Sequence, residues 1–287
     1  MTLIATIGGV FALVFWGLGD YSTGKSGQKE DRPITALIVQ LVPTVLLLPF
    51  LLLYGISINF DTSLLIVFGG AAFLIIAYIS FVKAMSIGPF GVAAPIANSY
   101  ALVTLLIGFT IFNLQLSFMQ GLALFIIIAG VIILSFDRAS LNYRNLRGST
   151  VFYAIITMIC WGVGFAFLDV VVDKFTWYQL VFLFSLFTTI LSFLYYIWVR
   201  RALPSLQNLK YKNAKYAWHA GLLLTMGTVG FFAASEYAGS VVIPAVIASA
   251  APLVTSFVAY VRDGEKLSLY KRIGAVIVII GLMLLNM

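Results

Sequence analysis

The chain has 287 residues, a formal net charge of +7, 62% hydrophobic residues and only 9% charged ones, with a mean hydropathy of +1.08. A soluble domain carries about 25% charged residues beside about 45–50% apolar ones, so the composition excludes a water-soluble globule and fits a surface that faces lipid. One cysteine, Cys160, excludes an intrachain disulfide; with a single histidine, His219, it also excludes a histidine- or thiolate-rich metal site.

In chain order, apolar runs long enough to cross a bilayer predict helices at 3–22, 34–55, 62–86, 89–112, 117–137, 150–170, 177–199, 216–238, 240–261 and 268–286. No basic residue precedes the first run, so it reads as a retained helix rather than a cleaved signal. The runs are continuous rather than alternating, which argues against strands. The expectation is an all-α integral membrane protein with ten transmembrane helices. The basic residues agree with this layout. Lys25, Lys29, Arg32, Lys83, Arg138, Arg144, Arg147, Arg200, Arg201, Lys210, Lys212, Lys215, Arg262, Lys266, Lys271 and Arg272 all fall on one side, and only Lys174 falls on the other. The positive-inside rule puts the basic side in the cytoplasm and both termini outside. The excess charge is thus an orientation signal, and no nucleic-acid partner is expected.

The chain also repeats itself. Phe15-Trp16-Gly17-Leu18-Gly19 matches Cys160-Trp161-Gly162-Val163-Gly164, and residues 85–134 align without a gap on 236–285 with 13 identities in 50 positions. Leu102-Val103-Thr104 meets Leu253-Val254-Thr255, and Gly130 meets Gly281. The expected units are 1–145 and 146–287. With five helices each, the second enters the membrane upside down relative to the first. Inverted repeats of this kind characterise secondary transporters, whose substrate sites lie near the midplane between the repeats.

These residues resemble the drug/metabolite transporter superfamily, in its ten-helix EamA-type branch. The resemblance rests on Trp16-Gly17 and Trp161-Gly162, on Lys83 to Pro89 continuing through Ala93-Ala94-Pro95, on Glu236 to Ser240 continuing to Pro252-Leu253-Val254-Thr255, and on Gly264-Glu265-Lys266-Leu267-Ser268. The first half departs from the pattern: its Gly-Glu position reads Asn113-Leu114, so a role for Glu265 would hold in one half only. The resemblance implies a small-molecule transporter, with amino acids, nucleotides, sugars and drugs among the family's solutes.

Ionisable groups within apolar helices are costly and tend to serve a purpose. Asp20 and Lys83, near the basic ends of the first and third helices, are candidates for an ion pair closing an inner gate. Asp169 and Glu236, near the opposite end, are gate or coupling candidates. Glu236 has two open roles, a contact to Lys174 and the binding of a coupling proton. Near mid-span, Asn98 aligns with Ser249, and Tyr100 follows. Pro95, Pro244 and Pro252 interrupt these helices and free backbone carbonyls, so the three polar residues are candidate cavity lining. Trp16 and Trp161 either stack on a flat solute or pack on neighbouring helices over Gly17 and Gly162. Tyr153, Thr157, Trp161 and Gly164 recur at helical spacing, giving a mixed polar and aromatic face that adds Thr157 to the candidate wall. His219 reads as interfacial and Cys160 as a packed small residue. Gly274 and Gly281 suit either a dimer contact or a monomer.

No phosphate-binding Gly-x-x-x-x-Gly-Lys-Ser/Thr loop is present, which argues against ATP-driven transport by this chain. No cofactor or metal is expected. The leading expectation is a secondary transporter of a small metabolite such as an amino acid or drug-like solute, working by alternating access, with export favoured by family analogy. Its place is a prokaryotic plasma or inner membrane, and proton coupling is one energy source. A sugar or nucleotide-sugar exchanger is the alternative within transport. From other classes, a receptor or scaffold and an intramembrane enzyme stay on the table. The carboxylates lie mostly at opposite ends of the bundle, which weighs against the enzyme.

Overall fold

The computed structural model describes residues 2–55, 61–88, 90–111, 115–135, 148–264 and 268–285. Among them there is no strand. The helices are α1 (Thr2–Lys29), α2 (Arg32–Tyr54), α3 (Thr62–Ile87), α4 (Phe90–Asn98), α5 (Tyr100–Thr110), α6 (Phe118–Ser135), α7 (Gly148–Asp169), α8 (Trp177–Arg200), α9 (Leu206–Leu209), α10 (Lys215–Ala238), α11 (Val242–Ala248), α12 (Pro252–Asp263) and α13 (Leu269–Leu284). Among the described residues, eight stretches are long and apolar enough to cross a membrane: α1, α2, α3, α4 with α5 from Val92, α7, α8, α10, and α11 with α12. α6 is a shorter apolar helix by the same measure, and α13 spans 16 residues. Helices suit such a chain because each satisfies its own backbone groups without water.

Two differences from the sequence reading matter for the site. The first helix does not stop near Ser22 but continues to Lys29, because Tyr21 to Lys29 packs against other helices instead of leaving the bundle: Thr23 meets Tyr78 and Lys25 meets Asp263. Asp20 is therefore about two and a half turns from the helix end. The fourth and ninth predicted helices are both broken. The first break is at Ser99, whose N–H lies 3.1 Å from the Pro95 carbonyl and 3.2 Å from that of Ile96. The second spans Ser249 to Ala251. There Pro252 has no N–H to return to Ala248, and Ala251 N donates to that carbonyl instead, at 2.9 Å.

Helix packing follows one scheme twice. α1 runs antiparallel to α10, with Gly8 on Ala234, Trp16 on Gly227 and Gly19 on Leu224. α7 runs antiparallel to α3, with Thr157 bonded to the Ala77 carbonyl at 3.2 Å and Gly164 on Gly70 and Leu74. α1 also packs on α11 and α12, as α7 does on α4 and α5. A β-carbon built on Gly17 would lie 2.5 Å from Val254 Cβ and 2.6 Å from the Ala251 carbonyl; one on Gly162 would lie 2.4 Å from Val103 Cβ and 2.9 Å from the Tyr100 carbonyl. Thr255 and Thr104 donate to the Gly17 and Gly162 carbonyls at 2.9 and 3.2 Å. The duplicated Trp-Gly motif is thus a close-approach point where small residues let backbones meet.

α6 and α13 form a pair of their own. Gly130 abuts Val278 and the Gly274 carbonyl, and Gly281 abuts Ile127 and the Ala123 carbonyl. The Gly274 and Gly281 face, open to a dimer contact or a monomer in the sequence reading, packs on α6 inside the chain.

Ties between helix ends hold three basic residues at one end of the bundle. Lys25 pairs with Asp263 at 2.8 Å, Arg200 pairs with Asp31, and Arg32 donates to Ser86 at 3.2 Å. Glu30 accepts from the first N–H groups of α10, Tyr216 at 2.9 Å and Ala217 at 3.0 Å, which satisfies donors that a helix start leaves open. Pro89, Asn113-Leu114, Glu265-Lys266-Leu267 and the basic residues Arg138, Arg144 and Arg147 lie outside the described residues.

Candidate functional site

A cavity of about 110 Å³ lies where α1 and α7 approach each other across the bundle. By volume it has room for roughly four waters. Its wall includes Trp16 and Asp20 from α1, Gln40 from α2, Tyr78 from α3, Asn98 and Tyr100 at the α4–α5 break, Trp161 and Phe165 from α7, Phe184 from α8, and Thr225, Thr228 and Phe232 from α10. Both sequence repeats contribute.

Aromatic rings form a connected belt around it. Trp161 lies 4.9 Å from Phe81 and 5.8 Å from Tyr100; Tyr100 lies 5.1 Å from Phe165; Phe165 lies 5.8 Å from Trp16 (ring centroids throughout). Such offset and edge contacts hold rings in fixed orientations. Both tryptophan rings line the cavity and pack on neighbouring aromatic rings.

The polar groups are mostly engaged with the protein. Trp16 Nε1 donates to Thr228 Oγ1 at 3.2 Å. Tyr100 OH donates to the Ala245 carbonyl of α11 at 3.2 Å, tying the two broken helices together. Thr225 Oγ1 donates to the Gly221 carbonyl at 2.6 Å. Tyr78 OH and Thr23 Oγ1 lie 3.1 Å apart, and Gln40 Oε1 accepts from Thr188 at 3.0 Å.

Among the described residues, Asp20 is the only Asp, Glu, Lys or Arg in this wall. It is 4% exposed, and its Oδ2 accepts from Asn98 Nδ2 at 3.2 Å. The same amide donates to the Ala94 carbonyl at 3.0 Å, so Asn98 both braces the break and orients the carboxyl. The expected Asp20–Lys83 pair does not form. The longer α1 turns Asp20 toward Asn98, whereas Lys83 lines a separate hollow of about 500 Å³ with Glu30, Asp31, Arg32, Tyr153, Tyr195 and Arg200. That hollow lies one to two turns farther along α2, α3 and α7, at the basic end of the bundle.

The opposite end is packed shut. Leu168, Val171, Val172, Leu180, Val241 and Val242 are all buried there. The two carboxylates singled out at this end cap helices. Asp169 Oδ1 accepts from Ser240 Oγ at 2.9 Å and Val241 N at 2.7 Å; Glu236 Oε2 accepts from Trp177 N, at the start of α8, at 2.7 Å. Glu236 thus serves a backbone amide where a contact to Lys174 was one expectation.

Two predicted wall residues lie elsewhere. Ser249 donates to the Val246 carbonyl at 2.6 Å and is buried in the α11–α12 break. Thr157 donates to Ala77 and Tyr153 carbonyls at 3.2 and 2.8 Å and serves the α3–α7 contact. His219 meets the Tyr211 hydroxyl at 2.7 Å on an exposed surface. Sequence reasoning missed Phe165, Tyr78, Gln40 and Thr228. For Phe165 a signal existed, since it occupies the repeat position of Asp20, four residues after the matched tryptophan.

A search among curated proteins by sequence finds no match. A solved crystal structure shares the fold, with a TM-score of 0.71 at 17% identity over 99% of this chain and 98% of that one. The family model described as the EamA-like transporter family matches twice, over residues 3–136 and 148–287. Those two matches take in nearly all of the chain, which is a multi-pass membrane protein and belongs to the EamA-like transporter family.

Proposed function

We propose that the protein is a secondary transporter that carries a small solute by alternating access through the cavity between Trp16, Asn98, Tyr100 and Trp161. The observation that carries this reading is the composition of the wall. Matched residues of the two repeats, Trp16 and Trp161, face one hollow, so a relative movement of the repeats changes what the hollow opens to.

In this reading ten helices cross the membrane as two inverted five-helix repeats, 1–145 and 146–287. The short α6 and α13 are the fifth and tenth. Support comes from the exchanged packing: α1 lies against α10 as α7 lies against α3, with antiparallel registers in both. The basic end faces the cytoplasm and both termini lie outside, in a plasma or inner membrane. The wide basic hollow and the packed opposite end then correspond to an inward-open state, and export is the proposed direction. A coupling proton has a better-placed carboxyl in Asp20 than in Glu236, because Asp20 faces the cavity. The wall has no Lys or Arg to hold a phosphate, which favours an apolar or amphipathic solute over a nucleotide sugar.

The test is uptake into proteoliposomes, scanned over amines, amino acids, sugars and nucleobases. Accumulation of one class, lost in Trp161→Ala with the protein still folded, supports the reading. Absence of flux for every class in folded, correctly oriented protein overturns it.

A further inference from the structure

We propose that the cavity is a site for an organic monocation, an amine or quaternary ammonium on a compact apolar body, with Asp20 as its counter-charge and the aromatic belt as its walls. The proposal rests on reading this cavity as the solute site, and it names the class of solute.

The argument begins with what the wall has to offer. An anion, or the carboxylate of an amino acid, needs hydrogen-bond donors or a fixed cation when it leaves water. The wall supplies no Lys or Arg. The Trp16 indole, the Tyr100 and Thr225 hydroxyls and the Asn98 amide are already engaged by Thr228, Ala245, Gly221, Ala94 and Asp20. What remains facing the hollow is mostly rich in electrons: the aromatic rings led by Trp16, Tyr100, Trp161 and Phe165, and one carboxyl, with the neutral Gln40 amide, whose Oε1 is taken by Thr188, beside them.

Ring faces attract cations through their quadrupoles, most strongly for tryptophan, and more so once water is excluded. A buried carboxylate needs a positive partner to offset its desolvation. The two ion pairs seen among the described residues, Lys25–Asp263 and Arg200–Asp31, do not include Asp20. Basic side chains that would attract an anion stay in the hollow at the basic end, where Arg200 is held by Asp31 and Arg32 by Ser86, with Lys83 beside them. A cation entering the cavity meets Asp20 and the rings together. A zwitterion would have its amine matched and its carboxylate left without a cation, with only neutral donors such as the Gln40 amide to meet it.

The test uses three probes that share a phenyl ring and differ in head-group charge: benzyltrimethylammonium, phenylalanine and 3-phenylpropionate. Binding to purified full-length protein is followed by tryptophan fluorescence, since Trp16 and Trp161 line the cavity, and flux of each probe is measured in proteoliposomes. The expected result is that benzyltrimethylammonium binds at least tenfold more tightly than the other two. Asp20→Asn removes that preference, while Asp20→Glu, which keeps the charge, retains it; size-exclusion profiles and helical circular dichroism establish that both variants are folded. Binding of phenylalanine or phenylpropionate as tight as that of the cation overturns the proposal. So does cation binding unchanged in Asp20→Asn, or a cation that fails to bind folded wild-type protein. The flux arm separates this proposal from the transport reading. Asp20-dependent cation binding without flux of any probe leaves the cation site standing and removes transport. Carriage of phenylalanine that ignores Asp20→Asn leaves transport standing and removes the cation site.

Discussion

Trp16 and Asp20 stand one helical turn apart on α1; at the matching positions on α7 stand Trp161 and Phe165, and all four side chains border the same cavity. One turn of each helix also carries a glycine, Gly17 or Gly162, pressed against a valine of a broken helix and accepting a threonine hydroxyl from it. The packing positions and the cavity tryptophans are thus kept in both repeats, while the wall diverges one turn on, with a carboxyl in one and a ring in the other, and Asn98 lines the cavity where its counterpart Ser249 does not. Packing tolerates little change because a close helix contact has few solutions. A wall has a different task. A solute that is not itself symmetric is held best by walls that differ, one supplying charge and the other an apolar face.

That contrast can be broken most severely at the glycines. Gly17→Ala and Gly162→Ala each place a β-carbon within 3 Å of a neighbouring carbonyl oxygen, at 2.6 and 2.9 Å. Each should lower stability by about 1–3 kcal/mol, read as a fall in thermal midpoint in detergent, with the two variants alike. Gly121→Ala on α6, where a β-carbon meets nothing within 4 Å, is the matched control and should be neutral or slightly stabilising. If Gly17 and Gly162 differ as much from each other as from Gly121, the packing equivalence of the repeats fails.

The cavity side of the contrast is sharpened by pH. Protonation removes the charge of Asp20, so affinity for benzyltrimethylammonium should fall about tenfold per pH unit once the protonated form dominates. The Asp20→Asn variant should stay flat over the same range. The titratable groups facing Asp20 are Tyr78 and Tyr100, from α3 and α5, and phenols stay neutral through an acid titration. A pH response that persists in Asp20→Asn would assign the effect to another group.

Smaller effects separate the two roles further. Thr104→Val and Thr255→Val each remove one interhelical hydrogen bond to a glycine carbonyl. Each should cost about 0.6 kcal/mol, measured by the same unfolding assay, with solute affinity unchanged in both. Smallest of all is Ser249→Ala. It should leave binding unaltered, whereas Asn98→Ala, which releases the Asp20 carboxyl from its 3.2 Å donor, should weaken cation binding severalfold. Equal losses in a binding titration would restore Ser249 to the wall.

The fold was read from sequence where the signal is local. Apolar runs mark helices without any knowledge of neighbours, and the Trp-Gly repeat marks equivalent positions. The site was only half readable because facing direction depends on where helices end and bend. Asp20 was placed at an inner gate since the first apolar run fades near Ser22; only the continuation of α1 to Lys29 turns it to Asn98. Ser249 inherited its assignment from Asn98 by alignment, but the break around Ala250 folds its hydroxyl onto its own helix. Gln40, Tyr78 and Thr228 carry no motif, and their place in the wall arises from the packing of α2, α3 and α10. Comparing the repeats for disagreement as well as agreement would have picked out Asp20 and Phe165.

The partner of α1 is α10, which begins at Lys215. At roughly 5–20 residues per second of synthesis, on the order of ten to forty seconds separate the release of one from the release of the other. During that interval the glycine face of α1, including Gly8, Gly17 and Gly19, has lipid or the insertion machinery for company, and α3 likewise waits for α7. Neither of the two matched halves can reach its final packing by itself. The newborn chain therefore matures late and all together, and a stop or truncation before α10 would leave a membrane-inserted but unfinished protein, a ready target for quality-control proteolysis.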